Sequence, residues 1–344
     1  MGMVIPAVSG RKRRFRSAAL RLTAYVATAY LTTGAFFYFQ QAKLLFPAPK
    51  TFDKNTPADR GLRFEDLRIP VKAKDYLHAW WIPAAMPSDQ VVLVSHGNGY
   101  VLEDMVEDET SNLHDIGANL LLVDYRGYGY STPITPNEMT VDEDAEASLD
   151  YLLRDRMFPV GNVIVLGRSI GSGPATYLAM NNRGLAGLIL ESPFSSIDDA
   201  ANAFWYFRIY PASLILRTHF DNLTKISSVR VPLLIVSGTE DTLTPPSMAD
   251  KIFAQANPPK QLYSVPGAGH NDLLTIGGRA LTLVLRQFVL GQRQERQRRP
   301  GAAERVGPDG TGTKVATIAA GTTAAGKFAD SSKTTQLSHV FLIV

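Results

Sequence analysis

The stretch Val163-Ile164-Val165-Leu166-Gly167-Arg168-Ser169-Ile170-Gly171-Ser172-Gly173 carries the most information in the chain. Its four apolar, mostly branched residues read as a short strand buried on both faces. Gly167-Arg168-Ser169-Ile170-Gly171 follows without a break and opens into small residues that can begin a helix. A sharp strand-to-helix turn of this kind lifts the Ser169 hydroxyl above a sheet. The flanking glycines are needed because such a turn leaves no space for side chains there. The helix N-terminus beyond it offers positive potential and N–H groups to a developing oxyanion.

Similar apolar runs lie on both sides. Val91–Val94, Leu120–Val123, Leu188–Leu190 and Leu233–Val236 each have the character of a strand covered by helices on two faces. Phe64–Val71 and Tyr76–Ile82 read as an opening hairpin. Thr140–Arg154 places Val141, Ala145, Leu149 and Leu152 on one helical face, with acids opposite. Leu273–Leu290 reads as a further helix, with Asn271 or Asp272 placed to cap its start. The alternation predicts an α/β fold with a mostly parallel sheet flanked by helices.

A serine nucleophile needs a base, and the base needs an orienting acid. His270 lies in the glycine-rich loop Gly267-Ala268-Gly269-His270-Asn271-Asp272 after the run Leu262–Val265, where an exposed, mobile base belongs. Asp241 leaves the strand Leu233–Ser237 through the turn Gly238-Thr239-Glu240-Asp241. It is the first choice for the acid, with Glu240 the adjacent competitor and Asp221 and Asp250 less well placed. The chain order Ser169, Asp241, His270 is that of α/β-hydrolases and differs from the trypsin-like and subtilisin-like orders. The oxyanion hole requires two backbone donors. Ile170, directly after the nucleophile, is one; Asn98, in the loop His96-Gly97-Asn98-Gly99, is the other. His96 reads as a structural residue of that loop. This chemistry calls for no cofactor and no metal.

The net charge of +3 over 344 residues conceals three blocks. Residues 1–52 hold eight Lys and Arg and no acid; residues 53–290 hold 19 basic and 28 acidic groups, or −9; residues 291–344 hold eight basic and four acidic groups. The part large enough to fold is acidic, which excludes nucleic acid as its partner. With no cysteine, disulfides, Cys-ligated zinc and thiol catalysis are excluded. Residues 1–21 form a basic segment. Residues 22–42 carry no charge and are long enough for a membrane anchor, with the basic flank cytoplasmic and the catalytic block on the other side. A cleaved signal peptide, or an apolar helix lying on the domain, are the competing readings. Residues 291–344, rich in Gly, Ala, Thr and Ser after an Arg/Gln run, read as a disordered tail. Asn222-Leu223-Thr224 is a glycosylation sequon.

Six motifs in order carry a family resemblance: His96-Gly97-Asn98, Asp124-Tyr125-Arg126-Gly127-Tyr128-Gly129, Gly167–Gly171, Glu191-Ser192-Pro193-Phe194, Gly238–Asp241 and Gly269–Asp272. Together they resemble the membrane-anchored serine hydrolases of the α/β-hydrolase domain-containing type, a group that includes monoacylglycerol lipases and protein depalmitoylases. The similarity covers Gln40 to Leu290. It implies an α/β-hydrolase domain over residues 43–290, a structural role for Asp124–Gly129, and a serine esterase acting on acyl esters, lipid esters among them. Gly99-Tyr100 departs from the smaller residues usual there and narrows the acyl pocket. A peptidase of the same fold and a catalytically idle interaction protein on a membrane are the rival readings.

In this fold, residues 195–231 are where a small helical lid lies, between the sixth and seventh strands. Its aromatics, Phe204 to Phe207 and Tyr210, fit an acyl chain; helices packing on the sheet are the competing reading. As a lid, Trp205 and Phe207 set chain length. Their joint replacement by Ala is expected to change acyl-length preference in an ester substrate series while thermal melting stays cooperative.

Overall fold

The computed structural model describes residues 9–49, 54–72, 74–203, 207–211, 215–298 and 313–314. The chain begins with a long helix, α1 (Ser9–Leu45), and then builds one sheet. The strands are β1 (Glu65–Pro70), β2 (Tyr76–Ile82), β3 (Val91–Ser95), β4 (Asn119–Val123), β5 (Val163–Arg168), β6 (Gly187–Glu191), β7 (Leu233–Gly238), β8 (Lys260–Val265) and β9 (Thr313–Lys314). Their spatial order is β1-β2-β4-β3-β5-β6-β7-β8-β9. β2 runs antiparallel to both β1 and β4, and every later pairing is parallel.

The apolar runs become strands because the sheet is covered twice. Alternate residues of each run face opposite layers. Val91, Leu93, Val163, Val165, Leu188 and Leu190 join one buried cluster; Val92, Val94, Ile164, Leu166 and Ile189 join another. Helix α2 (Leu102–Asp108) and helix α3 (Thr110–His114) belong with the second layer, through Leu102, Met105 and Leu113. Helix α4 (Glu138–Arg154) covers the first layer with Ala145, Leu149 and Leu152. Its start is capped by Asn137, whose side chain accepts from the Thr140 N–H. Helix α5 (Ser172–Asn181) packs on the same layer through Ala175, Leu178 and Ala179.

Between β6 and β7 lie α6 (Ile197–Ala203), a 3-10 turn over Phe207–Ile209, and α7 (Asn222–Ile226). This is the segment expected as a lid; Trp205 falls outside the described residues. Ile197, Ala200 and Phe220 from it form a third buried cluster with Ile170, Tyr128 and the Leu45-Phe46 end of α1. Asn222 is fully buried, and its amide donates to Ser172 Oγ and the Phe194 carbonyl, both at 3.0 Å. A side chain held there cannot carry a glycan in the folded protein, so the sequon has no such role.

Helix α8 (Pro246–Gln255) covers the first layer and α9 (Leu273–Arg298) the second. Leu273–Gln292 is the described helix that is long and apolar enough to cross a membrane by length and composition. Here Leu281, Leu285, Phe288 and Val289 are buried on the sheet instead. α9 kinks at Gly278 (φ +46) and continues eight residues past the expected end at Leu290. Thr313–Lys314 pairs in parallel with Gln261–Leu262. The expectation of disorder from residue 291 onward is therefore corrected at 291–298 and 313–314, where helix and sheet pairing satisfy the backbone; the rest of that tail lies outside the described residues.

One buried group has a measurable cost. Glu103 on α2 is 2% exposed, and its Oε2 has no hydrogen-bond partner. Burial, chiefly, pushes its carboxyl up from 4.5 to about 7, with a further contribution from the charge of Asp124. The folded protein keeps this proton across a range where the unfolded chain has lost it. Its contribution to stability is thus full below pH 4.5 and is lost as pH rises through about 7. In Glu103→Gln this pH dependence disappears. Its melting temperature relative to the parent protein is expected to rise between about pH 5 and about pH 8, as read by thermal denaturation.

Candidate active site

The C-terminal ends of the central parallel strands meet at Ser169. A 3-10 turn over Ser169–Gly171 links β5 to α5, with Ser169 at φ +51 in the left-handed region. A Cβ on Gly167 would lie 2.3 Å from the Gly171 carbonyl oxygen, and one on Gly171 would lie 2.1 Å from the Ser95 carbonyl oxygen. Neither position accepts a side chain, so the spacing of the two glycines is a requirement of the turn. The loop after β3 passes directly over Ser169: the Cβ position of Gly97 is 3.7 Å from the Ser169 Cβ.

His270 stands in the loop between β8 and α9. Its Nε2 is 2.9 Å from Ser169 Oγ, and its Nδ1 is 2.8 Å from Asp241 Oδ2. Ser169, His270 and Asp241, far apart in the chain, thus form one hydrogen-bonded row. Glu240, the competing acid, is exposed on the neighbouring turn. Asp221 instead accepts from the Thr224 N–H at the start of α7, and Asp250 lies within α8.

Asp241 is buried. Burial would raise its carboxyl, but hydrogen bonds from His270 and Thr244 outweigh this and hold it below the ordinary carboxylate range. Leu243 and Thr244 donate backbone N–H groups to Oδ1, both at 2.9 Å, and the Thr244 hydroxyl donates to Oδ2 at 2.9 Å. The His270 loop has its own brace. Asp272 Oδ1 accepts the Gly269 N–H at 2.7 Å, so this side chain, expected as a helix cap, holds the loop. The Asp272 carbonyl accepts the Ile276 N–H that starts α9.

The other described histidines are engaged elsewhere. His96 is buried, and Nδ1 is 2.7 Å from the Gly97 carbonyl. Burial pushes its imidazole below the usual histidine range, which favours the neutral form. His78 sits between Asp124 and Asp66, His219 pairs with Asp198, and His114 Nε2 meets the Pro83 carbonyl. His339 lies outside the described residues.

The loop carrying Asn98 is gripped through the Asn98 side chain. Its Nδ2 donates to the Leu45 carbonyl at 2.7 Å, and its Oδ1 accepts from the Tyr128 hydroxyl at 2.7 Å. Leu45 is the last residue of α1, so the end of the N-terminal helix and the loop over Ser169 are tied directly. Ile170 is buried immediately after the nucleophile.

Asp124 is fully buried beneath this loop, accepting from the Leu102 N–H at 3.1 Å with His78 Nδ1 at 3.1 Å. A Cβ at Gly129 would lie 2.0 Å from Asp124 Oδ2. Asp124–Gly129 is therefore structural, as the family resemblance implies. Arg168, next to Ser169, pairs with Glu109, stacks over Tyr100 at 5.7 Å and donates to the Asn271 carbonyl at 3.4 Å. Thr244, Tyr128 and Arg168 are not evident as site residues from sequence. The partners of Tyr128 and Arg168 are remote in the chain, and Thr244 lies just past the Gly238–Asp241 motif. Among the described residues no group of three His, Asp or Glu side chains is arranged to hold a metal.

Comparison with known proteins agrees with this architecture. The family pattern described as "alpha/beta hydrolase fold" matches residues 90–208. An uncharacterized protein of Mycobacterium tuberculosis is 31% identical over 288 residues, covering 80% of this chain and 99% of that protein. An uncharacterized membrane protein of Saccharomyces cerevisiae is 28% identical over 255 residues, covering 71% of this chain and 87% of that protein. Among solved structures, an esterase of Pyrococcus furiosus superposes with a TM-score of 0.60 at 20% identity, over 71% of this chain and 98% of that one. The strand order, the family pattern and a relative matched over nearly its whole length converge, and the chain belongs to the α/β-hydrolase superfamily.

Proposed function

We propose that this hydrolase is a serine carboxylic-ester hydrolase, tethered to a membrane and acting on acyl esters of lipids. The observation that carries the reading is the row Ser169 Oγ, His270 Nε2, His270 Nδ1 and Asp241 Oδ2, closed at 2.9 and 2.8 Å.

In this reading, Ser169 Oγ attacks the ester carbonyl while His270 Nε2 takes its proton. The carbonyl π electrons move onto oxygen. The backbone N–H groups of Ile170 and Asn98 receive that oxyanion. His270 then returns the proton to the departing alkoxide, and an acyl-Ser169 ester remains. Water, deprotonated by the same nitrogen, attacks the acyl carbon and releases the carboxylic acid and the serine hydroxyl. Asp241 stays ionised throughout, holds Nδ1–H and stabilises the imidazolium. The hydrogen bonds from Thr244 and two backbone N–H groups support this by keeping its carboxyl low.

The tether is residues 22–42 of α1, with the basic flank cytoplasmic and the catalytic domain on the other side. Leu22, Tyr25, Val26, Leu31, Phe36 and Phe39 on this helix are exposed in the protein alone, as lipid-facing side chains are. The kinship with a yeast protein named as a membrane protein is in keeping with it. Residues 195–231 are the lid.

A fluorophosphonate probe is expected to label the full-length protein at Ser169, with labelling lost in Ser169→Ala. Absence of labelling on folded protein would sink the esterase reading and favour an idle membrane protein. Purified enzyme is expected to turn over acyl esters faster than peptide amides; the reverse order would favour a peptidase. Thr244→Val removes one hydrogen bond to Asp241, worth about 1.5–3 kcal/mol when the acceptor is charged. It is expected to lower kcat about tenfold or more and to move the acidic limb of the pH–rate profile upward.

A further inference from the structure

Residues 9–21 of α1 include six Lys and Arg, so hydrocarbon can take no part of the helix before Leu22. If α1 crosses a bilayer, the crossing stretch is the charge-free window 22–42. The second half of that window is already occupied on one side. Tyr30 stacks on Tyr210 at 4.7 Å, and Phe37 meets the same ring edge-on at 5.8 Å. A Cβ at Gly34 would lie 3.3 Å from Tyr210, which is why this ring can approach the helix. Gln41 Nε2 donates to the Ile215 carbonyl at 3.0 Å. Tyr30 to Gln41 spans about 16 Å of helix axis, close to half of the ~30 Å hydrocarbon core. Bilayer and lid claim the same length of α1.

We infer that the lid edge, residues 207–211 and 215–216, lies inside the bilayer beside α1, in the leaflet on the catalytic domain's side, with lipid acyl chains covering the apolar side chains there. The inference rests on the reading of residues 22–42 as an anchor. Three observations carry it.

First, from Phe204 to Leu216 the sequence holds one charge, Arg208. Its Nε donates back to the Asn202 carbonyl in α6 at 2.8 Å. Second, large apolar side chains on both elements are bare: Ile209 is 57% exposed, and on α1 Leu31 is 68% and Phe36 52% exposed. Third, irregular backbone is tolerated in lipid only where protein satisfies its polar groups. α1 does this for the lid. The Tyr30 hydroxyl donates to the Ile209 carbonyl at 3.1 Å, the Gln41 amide donates to that of Ile215, and Gln41 Oε1 accepts the Arg217 N–H at 2.6 Å. The charged group lies at the end nearer the domain. Arg217 lies 4.6 Å from the Tyr38 ring and donates to the Tyr38 carbonyl, where an interfacial belt would fall.

The native chain has no cysteine, so single-site labelling needs no background removal. Full-length Ile209→Cys, Pro211→Cys, Leu31→Cys and Met86→Cys would each carry an NBD fluorophore in phosphatidylcholine vesicles. Nitroxides placed on lipid tails or on headgroups serve as quenchers. Met86 is 76% exposed and precedes β3, at the sheet end opposite Ser169, and is the aqueous control. Thermal melts establish that each labelled protein is folded, and two lid positions guard against loss of one. The inference expects loss of emission with tail nitroxides at Leu31, Ile209 and Pro211, and none at Met86. Quenching at Leu31 with none at either lid position would overturn it while leaving the anchor intact. Lid positions quenched by headgroup nitroxides alone would also overturn it, placing the lid on the surface. No quenching at Leu31 would remove the anchor reading and this inference with it.

Discussion

The end of β3 and the turn after β5 press together so closely that Gly171 has no room for a Cβ against the Ser95 carbonyl. Much else follows from that contact. The two strands are sheet neighbours in register, Ser95 opposite Gly167, so both release their loops at one level. The loop of His96 to Gly99 is thereby laid over Ser169, and the left-handed backbone at Ser169 turns its hydroxyl outward. The tight turn confines the first residues of α5 to small side chains, as at Gly173, where a Cβ would strike the Phe220 ring. Strain in the turn is offset by burial around it. Ile170, Phe194, Phe220 and Leu45 belong to one apolar cluster.

Polar groups below this surface are held in ways that keep charge out of the wrong places. Asp241 is surrounded by donors and stays an anion despite its burial. His96 is buried with its one hydrogen bond made locally, and its imidazole is pushed toward neutrality. Glu191, at the end of β6 opposite Arg168, is fully buried, and burial raises its carboxyl against the pull of that guanidinium. Asp241 is the carboxylate that His270 meets directly.

The parallel core was legible in sequence because each run is apolar on both faces, and two-sided burial leaves few other solutions. Ser169, Asp241 and His270 could be read because each follows a strand and sits among residues that a tight turn demands. The short helices α2 and α3 were not read. Leu102–His114 is interrupted by acids and gives no sustained helical face. Thr244 and Tyr128 are not legible because the role of each consists of one hydroxyl contact, to Asp241 and to Asn98, and nothing in the sequence says which hydroxyl reaches either. The packing of α1 on the segment between β6 and β7 joins residues some 179 positions apart, and periodicity carries no signal for such contacts. The kink at Gly278 had a visible cause in Gly277-Gly278, but not a visible direction.

The hydrogen bond from Asn98 to the Leu45 carbonyl joins the last turn of α1 to the loop over Ser169 without slack. An α-helix advances about 100° per residue. The azimuth at which α1 presents its faces is therefore locked to the azimuth of the catalytic domain. One residue gained or lost ahead of Phe46 would swing the Tyr30–Gln41 face slightly more than a quarter-turn away from Tyr210 and Ile215. The junction between helix and domain thus behaves as a keyed coupling with one permitted phase, unlike a flexible leash, and it gives the domain a defined heading about the axis of its own helix.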